Sequence, residues 1–143
     1  MAVHYIPTGF HAVTPYLVVN GAERLIDFVQ RVFGAEVVLR MAGPDGKIHH
    51  AEVKIGGSVV ELADAGEHWS AMPAGLHVYV PDIDAAYQRA LAAGAVTLKE
   101  PADQFYGERS ASVKDALGNV WHIATHTEDV TAEEMERRVA AMK

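Results

Sequence analysis

A chain of 143 residues, half of them apolar, can bury one respectable core but is short for two independent domains. Its formal charge of −7 argues against a nucleic-acid backbone or an anionic membrane as main partner, since both demand a positive face. It has no cysteine, hence no disulfide or thiolate chemistry; with no 18-residue apolar run and no basic-then-apolar start, a cytoplasmic protein is the expectation.

The β-favouring Val13, Thr14, Tyr16, Val18 and Val19 predict a first strand over residues 12–19. Asn20 is placed to cap a helix whose early Glu23 completes a partial capping box. Leu25, Phe28, Val29, Val32 and Phe33 give that helix one apolar face, and Gly34 ends it. Strands over 36–41, 49–55 and 59–63 follow, divided by Gly43-Pro44-Asp45-Gly46 and Gly56-Gly57. The order is β-α-β-β-β.

Residues 64–75, with Gly, Pro and an isolated Trp69, read as a linker or lid. The same order then recurs. A strand over 76–80 leads to a helix capped by Asp82, with Ile83, Ala86, Tyr87, Ala90 and Leu91 as its stripe and Gly94 at its end. Strands near 96–99, 110–114 and 120–125 follow, the last two joined by the turn Asp115-Ala116-Leu117-Gly118-Asn119. Gly34-Ala35 recurs as Gly94-Ala95, 60 positions later, which marks a duplicated module. Thr131-Ala132-Glu133-Glu134 is a capping box for a last helix over about 131–142. Its narrow stripe of Met135, Val139 and Met142 suits docking on the body or on a partner subunit. The reading is α+β, one domain over 1–143, with modules at about 12–64 and 75–127 and a C-terminal helix.

The two modules and their junctions resemble the vicinal oxygen chelate superfamily of glyoxalase I, bleomycin-resistance proteins and extradiol dioxygenases. The likeness spans residues 12–127. It is carried by Tyr16-Leu17-Val18-Val19-Asn20-Gly21-Ala22-Glu23, Ser58-Val59-Val60-Glu61-Leu62, Val80-Pro81-Asp82-Ile83-Asp84-Ala85-Ala86 and Asp115-Ala116-Leu117-Gly118-Asn119-Val120-Trp121-His122-Ile123. The ending Trp121-His122-Ile123-Ala124-Thr125-His126 is similar to the PhnB-like branch. The resemblance implies two tandem modules whose curved mixed sheets enclose a cavity for a small organic molecule, often with one divalent metal, in a homodimer.

Strand alternation assigns faces. With Leu17, Val19, Val60, Leu62, Leu76, Val78, Val80, Trp121, Ile123 and Thr125 toward the helices, Tyr16, Glu61, His77, Tyr79 and His122 point the other way, unless a bulge intervenes. Glu61, His77 and His122 are a carboxylate and two imidazoles, suited to Zn(II), Ni(II), Mn(II) or Fe(II) with positions left for substrate. Such an ion acts as a Lewis acid on a carbonyl or enediolate oxygen while a carboxylate such as Glu61 moves the proton. The same side chains also read as ordinary solvated strand residues.

Glyoxalase-type metalloenzymes place one ligand on the first and last strand of each module, which the resemblance aligns with Thr14, Glu61, Gly75 and His122. His77 has the correct parity but stands two residues past Gly75, about 6.6 Å along a strand. His11, three residues before Thr14, has the wrong parity.

Arg109 is a candidate anion clamp or a surface charge beside Glu108. Trp69, Phe105 and Tyr106 are candidates for an aromatic rim over a planar ligand, or for cover over sheet ends or a dimer seam. His49-His50 offers at most one imidazole to the cavity, and His126 lies four residues beyond His122 on the same face. Two functions from different classes follow: a glyoxalase-like lyase or isomerase with an atypical metal site, and a metal-free protein that sequesters a drug or metabolite. An extradiol-type dioxygenase is a third.

Overall fold

The computed structural model describes residues 2–142, in two compact units that divide between Ala74 and Gly75. Each unit is a four-stranded mixed sheet with a helix packed on one side.

In the first unit, β1 (Tyr16–Val19), α1 (Ala22–Phe33), β2 (Glu36–Ala42), β3 (Ile48–Ile55) and β4 (Ser58–Asp64) form a sheet in the order β1-β4-β3-β2. β1 runs parallel to β4, so the chain must cross over between β1 and β2, and α1 is that crossover. Leu25, Ile26, Phe28, Val29 and Val32 are buried on the face of α1 that meets β3 and β4. The sheet answers with Leu17, Val19, Ala51, Val53, Ile55, Val60 and Leu62. Gly34, at φ 65°, closes the helix in the left-handed conformation.

Two details differ from the sequence reading. The first strand begins only at Tyr16: Pro15 has no N–H to give a ladder, and Thr14, ahead of it, turns its hydroxyl to the His11 carbonyl at 3.2 Å. Asn20 does not cap α1. The N-cap is Gly21 at φ 120°, and Asp64, arriving at the end of β4, accepts from the Gly21 and Ala22 N–H groups at 3.0 and 2.8 Å. A carboxylate 42 residues away has taken the local side chain's place.

In the second unit, β5 (Gly75–Tyr79), α2 (Ile83–Ala92), β6 (Val96–Gln104), β7 (Glu108–Lys114) and β8 (Val120–His126) repeat the design as β5-β8-β7-β6, and α3 (Ala132–Ala140) follows. Here the expected cap is made: Asp82 accepts from Ala85 N–H at 3.2 Å. Ile83, Ala86, Tyr87 and Ala90 are the buried face of α2. β6 is longer than expected, running through Pro101 to Gln104 with irregular pairing around that residue. It is an edge strand, where a missing donor costs no ladder bond.

The β7–β8 turn is held by Asp115, which accepts from Leu117 and Asn119 N–H, the Asn119 side-chain amide and the Trp121 indole. Thr131 caps α3 through Glu134 N–H, and Arg138 ties that helix to the Phe105 carbonyl at 2.8 Å and Glu128 at 2.7 Å. α3 buries no residue. Among the described residues no helix is long and apolar enough to cross a membrane.

Candidate functional site

Register shifts are confined to the β2–β3 and β6–β7 pairings, so alternation runs unbroken through β1, β4, β5 and β8. Tyr16, Glu61, His77, Tyr79 and His122 consequently lie opposite the apolar set, buried in β1, β4 and β8 and half-buried at Leu76 and Val78 of β5, and each is solvent-accessible in part. The register also brings new neighbours to the open faces.

In the first unit the pairing sets Tyr16 beside Glu61 and Glu61 opposite Glu52, a row across β1, β4 and β3. His50, one pleat along β3, leans into this row. Its Nε2 lies 3.0 Å from Glu52 and 3.6 Å from Glu61, and its Nδ1 is 3.4 Å from the Tyr16 hydroxyl.

In the second unit the matching row is His77, His122 and Ser112 across β5, β8 and β7. Ser112 Oγ and His122 Nδ1 are 2.7 Å apart, and the rings of His77 and His122 stand 6.4 Å apart. Tyr16 and His77, like Glu61 and His122, are 61 positions apart. The first-strand residues beside Glu61 and His122 are therefore Tyr16 and His77. Thr14 precedes β1, and Gly75 pairs with Val120. His77 is in line with His122 instead of a pleat away.

Along the same open face, Tyr79 donates to Glu108 at 2.7 Å, and that bond raises the phenol's pKa above its ordinary value. His126 bonds Asp129 at 2.8 Å, and Asp129 with Glu108 holds the imidazole above the usual histidine range. Arg109 lies elsewhere. On β7 it shares parity with the buried Ala111 and Val113, and its guanidinium grips Asp84 of α2 at 2.9 and 3.1 Å, with Asp103 at 3.4 Å. Phe105 and Tyr106 stack edge to face in the β6–β7 turn, at 5.2 Å.

Trp69 is 74% exposed at the mouth of a cleft of about 420 Å³ shared with Tyr16, Val18, His49 and Asp64. A second hollow, of about 460 Å³, sets Glu61 against Tyr5, Phe10 and Thr14.

Sequence reasoning left His50 undecided within the pair His49-His50 and missed Glu52 and Ser112 as site residues. The signal was available: Ala51, Val53, Ala111 and Val113 are the apolar alternates that send these three to the open face. Strand pairing, however, was needed to show what they would meet.

The donor sets suit a divalent cation. In the first unit the ligating atoms of His50, Glu52 and Glu61 lie within 4.8 Å of one another, and in the second His77 and His122 are adjacent imidazoles.

Two tandem βαβββ units, with acidic, imidazole and phenol side chains on the sheet face away from the helix, define a duplicated-module α+β class. Residues 9–123 match the Glyoxalase/Bleomycin resistance protein/Dioxygenase superfamily, and the chain belongs to it. An uncharacterised protein of Mycobacterium tuberculosis is 34% identical over 99% of this chain and 87% of its own length. Among solved structures, TioX from Micromonospora is 29% identical with a TM-score of 0.69, covering 81% of this chain and 98% of that one. TnmS3, an antibiotic-binding protein from Streptomyces, shares the fold at 22% identity and a TM-score of 0.64, covering 89% of this chain and 99% of that one.

Proposed function

We propose that this protein binds a planar small organic molecule, of antibiotic or metabolite type, on the open faces of its two sheets. The carrying observation is that the exposed side of each sheet presents rings where a solvent-facing strand would usually present chains: Tyr16 on the first, His77, Tyr79 and His122 on the second. The cleft beside Tyr16, about 420 Å³, falls in the range of small-ligand sites, and Trp69 at its mouth is free to stack. The antibiotic-binding neighbour lends the reading support from fold alone.

The fluorescence test is clean because the two tryptophans differ. Trp121 is fully buried with its indole bonded to Asp115, so quenching by a bound ring reports Trp69. Titration with a panel of planar aromatic antibiotics is expected to give saturable quenching, and calorimetric affinity should fall at least tenfold in Trp69→Ala and Tyr16→Ala. A panel in which nothing saturates would refute the reading.

A second reading, a glyoxalase-like lyase or isomerase, is favoured by the adjacent His77 and His122. Those two imidazoles would hold one Zn(II), Ni(II), Mn(II) or Fe(II), which when bound would supply Lewis acidity toward a substrate oxygen. An ion in elemental analysis that is lost in both His77→Ala and His122→Ala would favour it over metal-free sequestration. A homodimer belongs to both readings: Val139 of α3 and Met142 just beyond it are half exposed or more and suit a partner subunit, which light scattering checks directly.

A further inference from the structure

Glu52 and Glu61 are direct cross-strand partners on the open face of the first sheet. Like charges at such positions repel, and with side chains only 16% and 26% exposed, water and salt screen them incompletely. Something positive belongs between them.

His50 shows where. Its Nε2 is turned to both carboxylates, at 3.0 and 3.6 Å, although a neutral imidazole that pointed its lone pair there would add to the repulsion. These separations have a second meaning. Donors held about 2.1 Å from one ion lie about 3.0 Å apart at right angles and about 3.4 Å apart at a tetrahedral angle. Both contacts of His50 are near those edges, and all three ligating atoms lie within 4.8 Å of one another. The Tyr16 hydroxyl, 3.4 Å from Nδ1, can accept the proton on that nitrogen, which leaves Nε2 free to ligate. A hydrogen bond to the distal ring nitrogen is the usual support of a metal-bound histidine.

We propose that the first module by itself holds one divalent transition-metal ion, with His50 Nε2 and one oxygen each from Glu52 and Glu61 as ligands and Tyr16 orienting the imidazole. All three ligands come from β3 and β4, so the site needs nothing from His77 or His122. One nitrogen and two carboxylate oxygens suit Zn(II), Co(II) or Mn(II), and leave coordination positions for water or a ligand oxygen. The site does not rest on the binding function proposed above: a chain that takes up the ion and ignores every aromatic probe would satisfy one and refute the other.

The test uses the full chain without an affinity tag, dialysed against chelator and titrated with Co(II) and Zn(II). Expected are one ion per chain, a visible Co(II) absorption band and a raised melting temperature with Zn(II). Glu52→Gln, which keeps the side chain's shape, and His50→Ala should each weaken binding at least tenfold and remove the thermal shift. His77→Ala and His122→Ala should leave both unchanged. Circular dichroism of each variant confirms that it is folded. Absence of saturable binding in the native chain overturns the proposal, as does binding that survives Glu52→Gln or is lost in His122→Ala.

Discussion

Asp64 joins three segments through one carboxylate. It accepts from Gly21 and Ala22 at the start of α1 and from Ile48 at the start of β3. Burial by itself would raise this carboxyl's pKa, but the N–H groups of Ala22, Ile48 and Gly21, with the charge of Lys47, hold it below the ordinary range. The stability it contributes is therefore complete above the unfolded value of about 3.9 and is lost as pH falls through the lower folded value. Asp64→Ala should cost about 1–3 kcal/mol in denaturant unfolding at pH 7, and the gap between variant and native chain should shrink toward pH 2. A gap independent of pH would mean that the carboxylate's charge is not what is used. That Asp64 serves α1 was not visible in sequence, where Asn20 stands next to the helix: the choice between them depends on where β4 ends.

At the scale of elements, both modules depend on how a helix or turn is closed, and two glycines separate the physical reasons. Gly34 adopts φ 65° after α1, and a methyl group there would touch nothing within 4 Å. Gly34→Ala should cost only the left-handed backbone penalty, about 1 kcal/mol. Gly107, at φ 90° in the β6–β7 turn, would drive a methyl group into the Glu128 carbonyl, while its own carbonyl accepts from Thr127 and Glu128. Gly107→Ala should cost clearly more than Gly34→Ala in the same denaturant titration and loosen the segment leading to α3. Equal costs would show that the segment yields freely. Element type was legible from periodicity, as α2 with its Asp82 cap shows. Element ends were less so: β6 runs on through Pro101 because an edge position forgives the missing donor, and edge position is a property of the assembled sheet.

At the scale of the whole molecule, the duplication predicts two like units, and the division between Ala74 and Gly75 agrees with it. The proposal that they act as one domain predicts a single calorimetric transition whose van't Hoff and calorimetric enthalpies agree. Two separable transitions would make the modules independent folding units and shift the search for ligand to each sheet alone. The superfamily and its βαβββ order were readable from Tyr16-Leu17-Val18-Val19-Asn20-Gly21, Asp115-Ala116-Leu117-Gly118-Asn119 and the glycine offset, because these encode turns and buried faces, which are local.

By itself, then, the sequence determined which side of β1, β4, β5 and β8 is apolar, and so that Tyr16, Glu61, His77, Tyr79 and His122 lie on the opposite face, since side chains alternate along a strand. Only the tertiary structure decided which residues stand beside them. Register between strands is set by packing and turn geometry, and a slip of two residues keeps every face while changing every neighbour. That is why His77 is the partner of His122, and why Glu61 meets Glu52 and His50.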